Sequence, residues 1–230
     1  RIAFVTPSHQ YPLGHAMSMQ RRSQLVHWAR TRNAWIVEDD YDSEFRYTGH
    51  PFPSLYGMAP DRVIYLGTFS KILFPSLRLG YVIVPEDQVD AWCGARLLMD
   101  RQPPDSNQHI LAAFIAEGHL DKHIRRLRGV YAGIKEKVDS LIKQLIPPAL
   151  ATLQPCDQGL HQLLWLTEGI SDQDIAARAI SIGIAVRPIS PMYSGNRSRQ
   201  GLILGLGGYS EEAMAWALSK LSRLLAQAVG

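Results

Sequence analysis

The chain lacks most features that would assign it at a glance. Only two of its 230 residues are cysteine, Cys93 and Cys156. They fit no paired metal spacing, which excludes a disulfide scaffold and a zinc ribbon and suits a reducing, cytoplasmic setting. No run of ~18 apolar residues occurs, so no membrane partner is expected. Net charge is small, 24 Lys and Arg against 21 Asp and Glu, a formal +3, and gives no argument for nucleic acid. With 46% hydrophobic residues, no repeat and no low-complexity segment, collagenous and disordered classes are excluded. Also missing at the start are a Met, a signal peptide and a polar leader. Arg1-Ile2-Ala3-Phe4-Val5-Thr6-Pro7 reads as a strand entering a loop, so an N-terminally truncated piece of a larger protein is expected.

At ~150 residues per domain, the length suggests one domain or one and a half. A strand over Ile2–Val5 leads into a Pro/Gly/His loop, and Met19–Arg32 has the spacing of an amphipathic helix. The apolar runs Trp35–Val37, Val63–Leu66 and Leu79–Val84 read as short buried strands, predicting an α/β architecture with a mostly parallel, doubly covered sheet. Helices follow over Glu86–Asp100, Asn107–Glu117 and Leu120–Leu145, the last stopped by Pro147-Pro148. Beyond them the texture is α+β, with strands near Leu153 and over Leu160–Leu166, Ile184–Arg187 and Leu202–Leu206. Helices over Asp172–Ile182 and Ser210–Ala228 complete it. The expected division is residues 1–145 and 146–230.

Two strand ends carry unusual side chains, and ligands of open α/β sheets bind beyond such ends. Glu38-Asp39-Asp40-Tyr41-Asp42-Ser43-Glu44 holds five carboxylates. An extended backbone puts Asp39 and Tyr41 on one face, although a solvated acidic loop or an oxygen-ligand metal site has the same composition. Gly67-Thr68-Phe69-Ser70-Lys71 ends the next strand. Lysine is scarce, six residues against eighteen arginines, and only Lys71 lies in a small-residue turn between apolar segments. A desolvated lysine is a good nucleophile and suits imine chemistry. Thr68 and Ser70 add hydroxyls, and Arg78 adds a cationic fork for phosphate. A phosphorylated pyridine cofactor needs this list: a carboxylate for its ring nitrogen, a phenol for its ring oxygen, a lysine, and phosphate donors.

Asp39-x-Tyr41 and Ser70-Lys71 with Pro75, Arg78 and Gly80 resemble the fold-type I pyridoxal-phosphate enzymes of the aspartate aminotransferase type. Longer stretches resemble the aminotransferase-like effector domain of MocR-type regulators in the GntR family. These are Val5-Thr6-Pro7-Ser8-His9-Gln10-Tyr11-Pro12, Glu38 to Tyr47, Gly67 to Pro75, Ala113 to His119, and Gly183-Ile184-Ala185-Val186-Arg187-Pro188. The resemblance implies the large-domain half of an aspartate aminotransferase-like fold plus a C-terminal α+β small domain. It implies that Lys71 carries pyridoxal 5'-phosphate, Asp39 pairs with its ring nitrogen and Tyr41 approaches its hydroxyl. Thr68, Ser70 and Arg78 would hold the phosphate.

Where many aminotransferases have Asn-Pro this chain has Tyr11-Pro12, with His9 or Gln10 as substitutes near the ring. The strand Gly201–Gly207 holds no arginine for a substrate carboxylate; Arg187 is the nearest candidate, with Arg197 and Arg199 behind it. The resemblance further implies a homodimer that senses a small amino compound by imine exchange at Lys71, with DNA contacts made by a winged-helix domain upstream. A free-standing aminotransferase is the alternative, and a cofactor-free dimerisation scaffold a third. His119 and His123 stand four apart as zinc ligands can, but without a third ligand or an intervening acid. The basic stretch Lys122–Lys137 reads as a solvated helix face, and Ser8, His9 and Asp39 lack a nucleophile elbow.

Overall fold

The computed structural model describes residues 1–50, 52–102, 104–195 and 198–229. The chain forms two compact units. The first comprises Arg1–Tyr11 and His15–Arg128, the second Pro12–Gly14 and Gly129–Gly230.

In the first unit β1 (Ile2–Val5), β2 (Trp35–Asp40), β3 (Val63–Thr68) and β4 (Gly80–Ile83) form one sheet in that order. The first two pairings are parallel, and β4 runs antiparallel to β3. Helix α1 (Met19–Thr31) starts where the Ser18 hydroxyl accepts from the Arg21 N–H. It ends before Asn33, at φ 48°, a conformation asparagine tolerates beyond a helix end. Val26 and Ala29 of α1 pack with Ile36 and Val63 of the sheet and with Leu55 and Ala59, which lie in and just after the short α2 (Leu55–Met58).

Period-two alternation along β2 sends Ile36 and Glu38 into this core. The buried Glu38 carboxylate accepts from the Leu55 and Tyr56 N–H groups at 2.9 Å each. Beside it Arg22, fully buried, donates to the carbonyls of Met17, Pro53 and Pro7 at 3.0, 3.0 and 2.7 Å. The same alternation puts Asp39 on the opposite face. Helices α3 (Val89–Asp100), α4 (Ser106–Ala116) and the start of α5 (His119–Leu145) complete the unit.

The second unit is antiparallel throughout. Strands β5 (Ala151–Leu153), β6 (His161–Leu166), β8 (Gly201–Gly205) and β7 (Arg187–Pro188) adjoin in that order. Val138 and Ile142 of α5, Ile175 of α6 (Asp172–Ser181), and Leu218, Leu221 and Leu225 of α7 (Glu211–Ala226) bury Leu164, Leu202 and Leu204 on one face. Leu163, Ile189 and Ile203 form a smaller cluster with Leu13, Trp165 and Tyr193.

The expected mixture of α/β and α+β parts is present, and two of the three pairings in the first sheet are parallel. The first sheet is mixed, because β4 returns antiparallel. The strand expected over Ile184–Arg187 is reduced to Arg187–Pro188. The division lies inside the long helix α5, after Arg128, and the helix's second half buries Val138 and Ile142 in the second core.

Candidate functional site

The two strand ends singled out in sequence meet. Parallel pairing of β2 with β3 sets Asp39 beside Leu66 and Asp40 beside Gly67, and antiparallel pairing sets Thr68 beside Gly80. A cleft of about 300 Å³ opens there, lined by Asp39, Leu66, Gly67, Thr68, Ser70, Arg78, Leu79 and Gly80. Four of the expected cofactor residues, Asp39, Thr68, Ser70 and Arg78, therefore share one cleft. Leu66 and Leu79 are its apolar walls, which the sequence reading did not name. The signal was available for Leu66, which stands two residues from Thr68 and so on the same face of β3.

Local geometry fixes each side chain. The Ser70 N–H donates to Thr68 Oγ1 at 3.1 Å, closing the turn after β3 and leaving the threonine O–H able to donate elsewhere. Pro75–Leu77 make one 3-10 turn, and Arg78 follows at φ 52°. A left-handed arginine costs on the order of 1 kcal/mol and aims the guanidinium from a tight turn. Gly67 has a steric reason: a Cβ there would stand 2.2 Å from the Tyr81 ring.

Asp39 is half-buried. Burial first, then the charges of Asp40 and Asp42, push its carboxyl above the usual carboxylate range. Only burial and negative neighbours act on it, so a cationic ligand group beside Asp39 would relieve both. On the other side of β2, Tyr65 Oη donates to Asp40 Oδ2 at 2.7 Å. Burial and the Asp40 charge raise the Tyr65 phenol above its ordinary value, so it stays a donor.

Lys71 follows Ser70 directly and is exposed; it does not line the cleft. The desolvated lysine expected from sequence is therefore not what this chain presents, because the turn lies at the surface. Tyr41 and His9 stand apart from the cleft lining as well. His9 is 2% exposed, with Nδ1 2.7 Å from Asp42 Oδ2 and 3.2 Å from Tyr41 Oη. His9 thus supports Tyr41 from behind.

In the second unit, Arg187 opens β7 opposite Ile203, and Arg199 lies over the Trp165 ring at 3.7 Å. Arg197 is outside the described residues. His119 Nε2 is 3.0 Å from Glu117 and His123 reaches the Ile72 carbonyl, so the two histidines face separate partners.

The donor set fits a ligand with a protonated ring nitrogen and a phosphate: a lone carboxylate, two hydroxyls and a guanidinium in one cleft, an amine on the next residue. Comparison with known proteins bears on which ligand. No family model matches the chain. It is 40% identical over 221 residues to an HTH-type transcriptional regulator of Bacillus subtilis, YhdI, covering 96% of this chain and 47% of that protein. It is 36% identical over 222 residues to the probable rhizopine catabolism regulatory protein MocR of Rhizobium meliloti, covering 96% and 45%. Among solved structures, the kynurenine aminotransferase of Pyrococcus horikoshii, in complex with PMP, superposes with a TM-score of 0.90 at 25% identity, covering all of this chain and 57% of that one. The chain spans about half the length of the relatives it matches. Over nearly its whole length the chain is thus similar in sequence to part of HTH-type regulators, MocR among them, and in fold to an aminotransferase, as an aminotransferase-like domain of such a regulator would be.

Proposed function

We propose that this chain is the pyridoxal-phosphate-binding, effector-sensing domain of a MocR-type transcriptional regulator. The observation that carries the reading is the cleft that groups Asp39 with Thr68, Arg78 and Ser70, the residue before Lys71. Pyridoxal phosphate, when bound, supplies a carbonyl that condenses with amines and a ring that draws electrons from them. The chain's residues have separable tasks. Asp39 keeps a proton on the ring nitrogen, its own carboxylate being relieved in turn by that cation. Thr68 and Ser70 donate to the phosphate and Arg78 neutralises it. Lys71 Nζ would be the amine that holds the cofactor. Tyr41, backed by His9, addresses the ring oxygen.

The relatives support the regulatory part of the reading. An HTH module in the rest of the polypeptide would make the DNA contacts, in the cytoplasm, with a homodimer as the working form. Effector binding would shift the population of DNA-binding conformations. The test uses full-length protein titrated with pyridoxal phosphate and reduced with borohydride. Wild type gains a visible absorbance band and a phosphopyridoxyl adduct on the Lys71 peptide. Lys71→Ala loses both. An unchanged band and adduct count in Lys71→Ala overturns the lysine assignment. Sustained turnover of an amino donor and a keto acid would assign an aminotransferase in place of a sensor.

A further inference from the structure

Lys71 is exposed, so its own packing does not place it; the backbone around it must. Upstream, Ser70 is tied to Thr68 Oγ1. Leu73 N–H donates to the Phe69 carbonyl at 2.8 Å, and the Ile72 side chain is buried. One further bond comes from a distant element. On α5, His123 Nε2 lies 2.8 Å from the Ile72 carbonyl, across 51 residues of sequence. Three residues along the same helix, Arg126 Nη2 lies 3.3 Å from His123 Nδ1.

The partners fix the ring's protonation. A guanidinium has only donors, so Nδ1 must accept; a carbonyl only accepts, so Nε2 must carry the hydrogen. Neutral imidazole protonated on Nε2 alone satisfies both.

We propose that His123, oriented by Arg126, is a positioning residue for Lys71. By holding the carbonyl of the following residue it sets the backbone from which the lysine reaches. It touches neither cofactor nor effector. The proposal rests on Lys71 as the cofactor amine and deepens that reading.

Three variants of the full-length protein test it: His123→Leu, which fills the space without hydrogen bonds, His123→Gln, whose amide can donate to Ile72 and accept from Arg126, and Arg126→Met on the exposed helix face. Amide exchange across residues 71–73 is followed without cofactor, and pyridoxal-phosphate affinity with Lys71 adduct yield in its presence. His123→Leu should speed exchange and weaken cofactor binding, each about tenfold, the equivalent of one lost part-buried hydrogen bond. His123→Gln should restore both to within about threefold, and Arg126→Met should move both the same way by a smaller factor. Rescue by glutamine is what a merely space-filling histidine would not give. Wild-type exchange in Arg126→Met and His123→Leu overturns the proposal, as does a folded His123→Gln no better than His123→Leu. Should His123→Leu not fold, Arg126→Met and His123→Gln decide the matter alone. If wild type forms its adduct elsewhere, the Lys71 reading fails, while exchange still reports whether His123 holds the turn.

Discussion

At the scale of single residues, the cleft depends on what is missing at Gly67 as much as on what is present around it. The Tyr81 ring occupies the space a side chain would take, 2.2 Å from the position of a Cβ. Its neighbours leave little room to move: Phe69 lies 5.4 Å away between ring centroids and Tyr65 6.1 Å. Gly67→Ala should therefore destabilise the first unit by about 1–3 kcal/mol, the usual cost of overpacking. It should also weaken pyridoxal-phosphate binding, because Thr68 and Leu66 flank it. Urea unfolding with a parallel cofactor titration measures both. Adding Tyr81→Ala should recover much of the lost stability beyond the sum of the single effects; strict additivity would show that the ring is not the obstacle.

At the scale of elements, the second unit is tied together by one carboxylate. Asp172, fully buried at the first turn of α6, accepts from the Ile189, Ser190 and Gly201 N–H groups at 3.0, 2.8 and 3.1 Å and from Ser190 Oγ at 2.6 Å. It thus fastens the helix to both ends of the segment between β7 and β8. Asp172→Asn sets an amide NH2 against donors and should cost about 2–4 kcal/mol, read from the unfolding midpoint; a change below ~0.5 kcal/mol would mean the donors find other partners.

Local signals made most elements legible. Apolar runs marked β1 to β3 to within a few residues, and the expected starts of α1 and α6, Met19 and Asp172, are the observed ones. The parts that escaped depend on remote partners. The four residues of α2 are held by the Glu38 carboxylate, seventeen positions away. Pro12–Gly14 read as plain loop, yet Leu13 packs in the second unit, where its carbonyl accepts from Gln154 and that of Pro12 lies 3.0 Å from His161. The candidate site was half legible. Asp39, Thr68, Ser70 and Arg78 line one cleft, and they could be singled out because residue chemistry and strand ends are sequence properties. His123 was first weighed as half of a metal pair, since a contact across 51 residues leaves no local trace.

At the scale of the whole molecule, the acidic strand end leaves a mark on stability. Asp39 and Glu44 both hold their protons above the ordinary carboxylate range, burial being the main cause in each. The native chain then binds more protons than the unfolded one between the ordinary and the raised values. Stability should therefore fall as pH rises through that window, from about pH 4 upward. The exposed pair of Arg30 with Asp61, at 2.7 Å, acts in the opposite sense and weakly. Urea midpoints followed from about pH 4 to about pH 7 should show the decline, and Asp39→Asn should flatten it. An identical slope in that variant would remove Asp39 as a contributor.

The buried Arg22 also matters for how a protease sees the first unit. Trypsin must take an arginine side chain into its own pocket and pull the neighbouring backbone straight. Arg21, exposed on the same helix, meets the first demand as soon as α1 frays. Arg22 cannot be offered until three carbonyls and the neighbouring Glu38 let it go. Two adjacent cleavage sites thereby become two clocks, one keeping the time of a loosening helix and the other that of the sheet's core coming apart.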